Sequence, residues 1–251
     1  MLAVERKRLI LEAIYRDGQV IVAELSDVLK VTEETIRRDL HKMEKEGLIS
    51  RTHGGAVARE AEIEDLPYRT RQITNIAAKR QIAMHAAKLV QDGDAIMMDS
   101  SSTVFEVLHT LKGHDDLTLI TNSARMIADP GATPYAIMSV GGELRRRSMT
   151  FVGPLAKQAI KQFRADLALI SCKALSLEGG IMDASVPDAE VKRAFIQNAK
   201  RVCLLADSSK FGQTALFGMC SLDQINVIIT DVRPSDDWVD TLTAHGVELI
   251  C

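Results

Sequence analysis

A chain of 251 residues is longer than one average domain, and 46% hydrophobic with 26% charged residues is the balance of an ordinary globular protein, not of a disordered or fibrous one. A formal net charge of −3 excludes nucleic-acid binding driven by bulk positive charge, and 4% aromatics means the cores are aliphatic. Cys172, Cys203, Cys220 and Cys251 show no C-x-x-C spacing, which points to reduced thiols and away from a disulfide framework or a metal site.

Residues 3–16 set Ile10, Leu11 and Ile14 on one helical stripe, with Gly18 placed to stop the helix. A short β-like run follows at 19–22, then an amphipathic helix over 23–29 through Leu25, Val28 and Leu29. Lys30 and Val31 make a tight turn, and Thr32 is a good N-cap for a third helix over 33–46. Glu33 and Glu34 suit the positive end of that helix. Helix, short turn and capped helix make a helix-turn-helix.

Ile36, Leu40 and Met43 define the buried face of the third helix, so the opposite face carries Glu34, Arg38, His41 and Lys45. Thr35 and Lys42 stand on one shoulder and Arg37 on the other. Arg reads guanine edges bidentately, while Lys and Thr reach phosphates, so this face suits a major groove. A charged face is also what a merely solvated helix shows. Gly47 ends the helix, residues 48–52 read as a strand, and Gly54-Gly55 turns the chain into Ala56-Val57. That is a two-stranded wing, with Arg51 and His53 placed to touch the DNA backbone or minor groove. Residues 1–58 hold ten Lys/Arg and ten Asp/Glu, so binding rests on the placement of charge and on more than one copy of the module.

The run Glu33-Glu34-Thr35-Ile36-Arg37-Arg38-Asp39-Leu40, with Glu46-Gly47-Leu48 and Arg51-Thr52-His53-Gly54-Gly55-Ala56, closely resembles the DeoR-type family of bacterial sugar-metabolism regulators. The likeness is gap-free over about the first 58 residues.

Residues 58–70 lose periodicity and gather charge, and Pro67 punctuates them, which marks a linker. Beyond it helices over 75–90, 104–111, 124–128, 155–163, 189–198 and 236–245 alternate with apolar strands. The strands are expected at 95–98, 117–121, 136–140, 167–171, 202–206, 227–230 and 247–250. The fold class is α/β: a winged helix-turn-helix over 1–58, a linker over 59–70, and a mostly parallel sheet covered on both faces over 71–251.

Ligands of such sheets bind beyond the carboxyl ends of the strands. Those ends offer Asp99, Ser100, Ser101, Ser102 and Thr103 ahead of a helix, a phosphate cradle by chemistry. They also offer Asn122-Ser123, Gly141-Gly142, Ser171-Cys172-Lys173 and Asp207-Ser208-Ser209-Lys210, where Lys173 and Lys210 bring positive charge. Serine-rich turns are also common loop chemistry, Arg145-Arg146-Arg147 reads more readily as a solvated run, and Asp183 and Glu190 read equally as surface acids.

The resemblance implies a C-terminal domain similar to ribose-5-phosphate isomerase, with counterparts of its family's motifs at 99–103, 121–123, 141–142, 190–193 and 207–211. It implies a phosphorylated-sugar effector, its phosphate on the 99–103 loop and its sugar against the other segments, Glu190 among them. Two departures stand out: Ser171-Cys172-Lys173-Ala174 replaces a glycine-containing segment, and residues 75–79 lack a glutamate before Lys79.

The competing reading is a sugar-phosphate isomerase with a DNA-binding appendage, using Asp183, Glu190 or Asp207 as base. Residues 169–173 supply no acid where such an enzyme needs one, and no nucleotide fingerprint or zinc-spaced His cluster occurs. A third reading is a DNA-binding protein with no small ligand. The expectation is a non-enzymatic repressor without cofactor or metal, a homo-oligomer (dimer or tetramer) on double-stranded operator DNA. With no leader or span-length apolar run it is expected in the cytoplasm, with no membrane partner.

Overall fold

The computed structural model describes residues 2–17, 19–46, 48–57, 68–129 and 135–251, apart from the side chains of residues 4, 12, 15–17 and 69. Gly18, Gly47 and most of the expected linker lie outside the described residues. The chain forms two compact units, Met1–Asn75 and Ile76–Cys251.

In the first unit, α1 (Ala3–Asp17), β1 (Gln19–Ile21), α2 (Val22–Leu29) and α3 (Glu33–Lys45) precede β2 (Ser50–Arg51), β3 (Gly55–Val57) and α4 (Tyr68–Ile73). Lys30 caps α2 in the left-handed conformation, φ 53°, and Ser26 Oγ donates to the Val31 carbonyl at 2.7 Å to close the turn. Thr32 Oγ1 accepts the Thr35 N–H at 3.3 Å, so α3 begins at the expected cap. The wing has three strands, not two, in the order β1-β3-β2. The extra strand is the β-like run at 19–21, which pairs antiparallel with β3. Gly55 makes this possible: a Cβ there would lie 1.8 Å from the Val20 carbonyl oxygen. Val28 does not join the α2 face; it is 75% exposed, and Val22, inside the helix one residue before its expected start, is buried. The helix Tyr68–Ile73 occupies residues expected to be linker or sensor.

The second unit runs α5 (Ile76–Ala87), β4 (Ala95–Met98), α6 (Ser102–Thr110), β5 (Thr118–Thr121), α7 (Ala124–Ile127), β6 (Ala136–Ser139), β7 (Glu143–Arg145) and β8 (Thr150–Val152). Then come α8 (Pro154–Ile160), β9 (Ala165–Ser171), β10 (Ala174–Ser176), β11 (Gly180–Asp183), α9 (Val186–Gln197) and β12 (Ala199–Leu205). The chain closes with β13 (Phe217–Cys220), β14 (Val227–Ile229), α10 (Asp236–Ala244) and β15 (Glu248–Ile250). Seven of these strands form one sheet in the order β15-β14-β12-β9-β4-β5-β6, with parallel pairing throughout. Met97, Ile120, Ala168, Leu204 and Ile228 share one face and pack with Ala156, Ile160, Val191 and Phe195. The alternating residues Ile96, Met98, Leu167, Leu169, Cys203 and Leu205 are buried too, which is why these strands read as continuous apolar runs.

The short antiparallel elements were not expected: the hairpin β7–β8 and the sheet β10-β11-β13. Their three- and four-residue strands lie too close to turns to show a period of their own. α9 starts three residues early because Ser185 Oγ accepts the Asp188 N–H at 3.4 Å and Pro187 fits the first turn.

Candidate functional sites

In α3, Ile36, Leu40 and Met43 are buried, while Glu34, Arg37, Arg38, His41 and Lys42 are exposed on the other side. Thr32 is exposed and Thr35 half-buried, their hydroxyls 3.0 Å apart at the start of the helix. Arg37 pairs with Glu33 one turn back at 2.6 Å. Asp39, in the middle of this basic stretch, turns inward to the Arg6 guanidinium of α1 at 2.5 Å. Arg51 on β2 is tied to the helix: its N–H donates to Glu44 Oε1 at 3.2 Å, and its guanidinium lies 3.5 Å from His41 Nδ1. His53 is exposed in the wing turn. The unit therefore presents one exposed polar face built from α3 and β2.

In the second unit the chain moves outward from β4 through β5 and β6, then resumes on the other side of β4 with β9 and β12. The crevice beyond the carboxyl ends of β4 and β9 is thus the switch point of the sheet. Asp99 sits there, fully buried, and its carboxylate accepts the N–H of Ser101 at 2.8 Å and of Ser171 at 2.9 Å. One side chain thereby ties the loop after β4 to the end of β9. Ser100, Ser101, Ser102 and Thr103 are all buried. Ser101 Oγ is committed to capping α6, accepting the Val104 N–H at 3.1 Å. Ser100 Oγ accepts from Thr150 Oγ1 of β8 at 2.9 Å.

The sequence reading missed the residue at the centre of this region. Lys192, 8% exposed on α9, donates to the Ser171 carbonyl at 2.8 Å and to Asp183 Oδ2 at 2.5 Å, with Asp99 Oδ2 at 3.4 Å. Burial alone would pull the ammonium down, but Asp183, Asp99 and Asp188 outweigh it and leave the Lys192 pKa raised. Asp183 is accordingly no surface acid; it is 7% exposed and paired. Glu190, the acid singled out on the same helix, points elsewhere and pairs with Lys157 at 2.8 Å. The signal lay in the segment 190–193, which holds Lys192 as well as Glu190, but only the fold shows which of them turns inward.

The arginine run is likewise not simply solvated. Arg145 on β7 is half-buried and bonds to Ser185 Oγ at 2.5 Å and to Asp188 Oδ2, at the start of α9. Burial, opposed by Ser185, Lys192 and Arg145, leaves the Asp188 pKa raised. Asn122 is buried at the end of β5, its Nδ2 donating to the Phe151 carbonyl at 3.2 Å. Gly142 approaches its own scaffold: a Cβ there would lie 2.6 Å from the Val152 carbonyl oxygen, while Gly141 beside it is half-buried. Lys173 and Lys210 are half-buried beyond β9 and β12, where Lys210 acts with Lys192 on the Cys172 thiol. Burial outweighs both and pushes that thiol up to about 12, so it is inert as a nucleophile. Asp207 caps a single 3₁₀ turn by accepting the Ser209 N–H at 3.2 Å.

The DeoR-like helix-turn-helix domain model matches residues 6–62, and the DeoR C terminal sensor domain model matches residues 74–232. This chain belongs to the DeoR family of transcriptional regulators. Curated relatives agree over nearly the whole length of this DeoR-family chain. It is 37% identical to the HTH-type transcriptional regulator YulB of Bacillus subtilis, over 92% of this chain and 90% of that protein. It is 30% identical to the glycerol-3-phosphate regulon repressor of Escherichia coli, over 98% and 97% of the two chains. It is 34% identical to the transcriptional repressor GlcR of B. subtilis, over 98% and 95%. A ribose 5-phosphate isomerase from Methanocaldococcus jannaschii overlays 55% of this chain and 55% of its own, at 18% identity and a TM-score of 0.41. This DeoR-family protein is a DNA-binding regulator with a small-molecule sensor domain, not an enzyme. Among the described residues no helix is long and apolar enough to cross a membrane.

Proposed function

We propose that this regulator represses a sugar-catabolism operon and that a phosphorylated sugar, bound beyond the carboxyl ends of β4 and β9, releases it from double-stranded operator DNA. The observation that carries the reading is the buried run Ser100–Thr103, held by Asp99 at the switch point of the sheet and leading directly into α6. Asn122, Gly141, Gly142, Lys173 and Lys210 end neighbouring strands of the same edge and are assigned to the sugar and its counter-charge. Asp99 acts by holding the loops, and Lys192 joins it in place of Glu190. Two relatives named as repressors, the glycerol-3-phosphate regulon repressor and GlcR, accord with repression.

DNA reading is assigned to Glu34, Arg38, His41 and Lys42 on α3, flanked by Thr32, Thr35, Arg37, Arg51 and His53. In this reading residues 1–58 are the DNA module, 59–70 the linker, and 71–251 the sensor and assembly domain. A formally neutral module binds DNA weakly by itself, so a dimer or tetramer supplies avidity. The test pairs thermal melts over phosphorylated and unphosphorylated sugars with release of a fluorescent upstream DNA fragment. A phosphorylated sugar is expected to raise the melting temperature and free the DNA. Release by an unphosphorylated sugar alone, or by none, overturns the reading.

A further inference from the structure

Residues 68–87 contain five alanines and neither glycine nor proline, so by composition they suit one unbroken helix. The fold breaks that helix in one place. α4 ends at Ile73, α5 begins at Ile76, and between them Asn75 takes the left-handed conformation, φ 51°. The two pieces belong to different units, which divide between Asn75 and Ile76. α4 is fastened to the first unit, where Ile73 packs against the core that holds Ile10, Ile36 and Leu40. Thr74 closes α4, its N–H and its hydroxyl both donating to the Thr70 carbonyl, at 3.2 and 2.9 Å.

α5 is fastened to the sensor unit at two points that lead to the carboxyl edge of the sheet. It packs along α6, where Thr110 Oγ1 donates to the Ala83 carbonyl at 3.4 Å, and the first turn of α6 holds Ser102 and Thr103. Gln81 Nε2 donates to the Asp231 carbonyl at 3.1 Å, and the Asp231 carboxylate in turn accepts the Ser208 N–H at 2.6 Å. Ser208 stands in the segment 207–210 beyond β12. A shift of either loop is therefore felt by the helix that leads straight into the DNA-binding unit.

The joint has a second conformation within reach. Asn is among the few residues that adopt the left-handed region readily, and it also enters a helix interior at small cost. With Asn75 left-handed, the first N–H groups of α5 have no carbonyl partners in their own helix. With Asn75 right-handed, those groups meet the carbonyls at the end of α4, and residues 68–87 run as one helix.

We propose that residues 68–87 form a two-state joint, bent at Asn75 or continuous through it, and that effector and DNA favour opposite states. This rests on the effector reading above and adds the device by which the sensor acts on the DNA-binding unit. Because only Thr74 and Asn75 separate α4 from α5, a change at Asn75 passes between the units with no flexible spacer to absorb it.

Hydrogen exchange on the full-length protein tests the joint, measured free, with the duplex upstream DNA fragment, and with aldose and ketose monophosphates. The amides of residues 75–79 gain protection in the continuous state, so DNA and the monophosphate that releases it should move that protection in opposite directions. Two variants bias the joint. Asn75→Gly favours the bend, since glycine takes a positive φ freely, and Asn75→Ala favours the continuous helix. Their DNA affinities should fall on opposite sides of the parent and differ roughly tenfold. Affinities that are equal or shift to the same side, or protection at 75–79 that DNA leaves unchanged, overturn the inference. Release of DNA by a monophosphate with that protection constant overturns it while leaving the effector reading intact. If no monophosphate binds, the effector reading falls, and the DNA-dependent protection and the two variants still decide the joint.

Discussion

The guanidinium of Arg6 on α1 meets the carboxylate of Asp39 on α3 at 2.5 Å, with both side chains less than a tenth exposed. The pair explains why an acid interrupts the basic stretch of the recognition helix: Asp39 locks the helix from behind while Arg37 and Arg38 face out. Asp39→Ala takes the carboxylate away from the buried Arg6 guanidinium and should cost about 3–5 kcal/mol of stability in the first unit. Replacing both partners by apolar residues of similar size should recover most of that loss. Denaturant melts of the single and double variants check both values.

Arg38 is exposed near the middle of the polar face of α3. Arg38→Ala is expected to cost about 1–3 kcal/mol in operator affinity and to relax sequence preference, as a lost base contact does. Lys42→Ala should weaken all sequences evenly and flatten the dependence on salt. Fluorescence titrations of operator and scrambled DNA at several salt concentrations separate the two behaviours. An Arg38→Ala protein that holds its operator as tightly as the parent would place the reading face elsewhere.

Gly55 faces the Val20 carbonyl at a distance no Cβ tolerates. Gly55→Ala should push β1 from β3 and cost about 1–3 kcal/mol, the usual range for overpacking. Weaker DNA binding without change in effector affinity is the expected pattern, measured by operator titration and calorimetry on one preparation.

Ser102 is 5% exposed in the first turn of α6. Ser102→Asp sets a fixed charge where a phosphate is proposed to sit, and like charges near 4 Å repel by about 4 kcal/mol in a protein-like dielectric. A helix N-terminus accepts an acid, so the fold should survive. The expected phenotype is normal operator affinity with no release by the sugar phosphate that releases the parent. A folded Ser102→Asp protein that still responds moves the phosphate away from this loop.

Asp188 has its pKa raised chiefly by burial. The folded state therefore holds this proton more tightly than the unfolded chain, and the contribution to stability falls as pH climbs from the ordinary aspartate range through the raised folded value. Asn mimics the protonated side chain. The stability difference between Asp188→Asn and the parent should favour the variant at neutral pH and shrink toward zero as pH falls to the ordinary aspartate value. Melts across pH measure it; a constant difference would show that Asp188 does not titrate in this range.

The sequence alone determined the local features of this protein. Thr32 capping α3, the inward stripe of Ile36, Leu40 and Met43, and the apolar strands of the parallel sheet are all set by neighbours a few residues apart. Caps, helical periodicity and continuous apolar runs are short-range consequences of backbone geometry, so they can be read from the chain. The motif at 33–40 and the serine loop at 99–103 are contiguous, and for that reason they pointed to DNA and to an anion before any fold was known.

Tertiary structure decided which polar groups meet. Nothing near Lys192 in sequence announces that it reaches Asp99 and Asp183, or that its neighbour Glu190 turns to Lys157. Arg145 looked like one member of a solvated run until the hairpin carried it to Asp188. Val28 had the spacing of a core residue, yet it is 75% exposed while Val22, Leu25 and Leu29 form the buried face of α2. Side-chain electrostatics acts over a few ångströms in space whatever the separation along the chain, and a short strand has no periodicity to betray its partner. The charges of the sensor site could therefore be assigned only after β4, β9, β11 and α9 had been brought to one edge of the sheet.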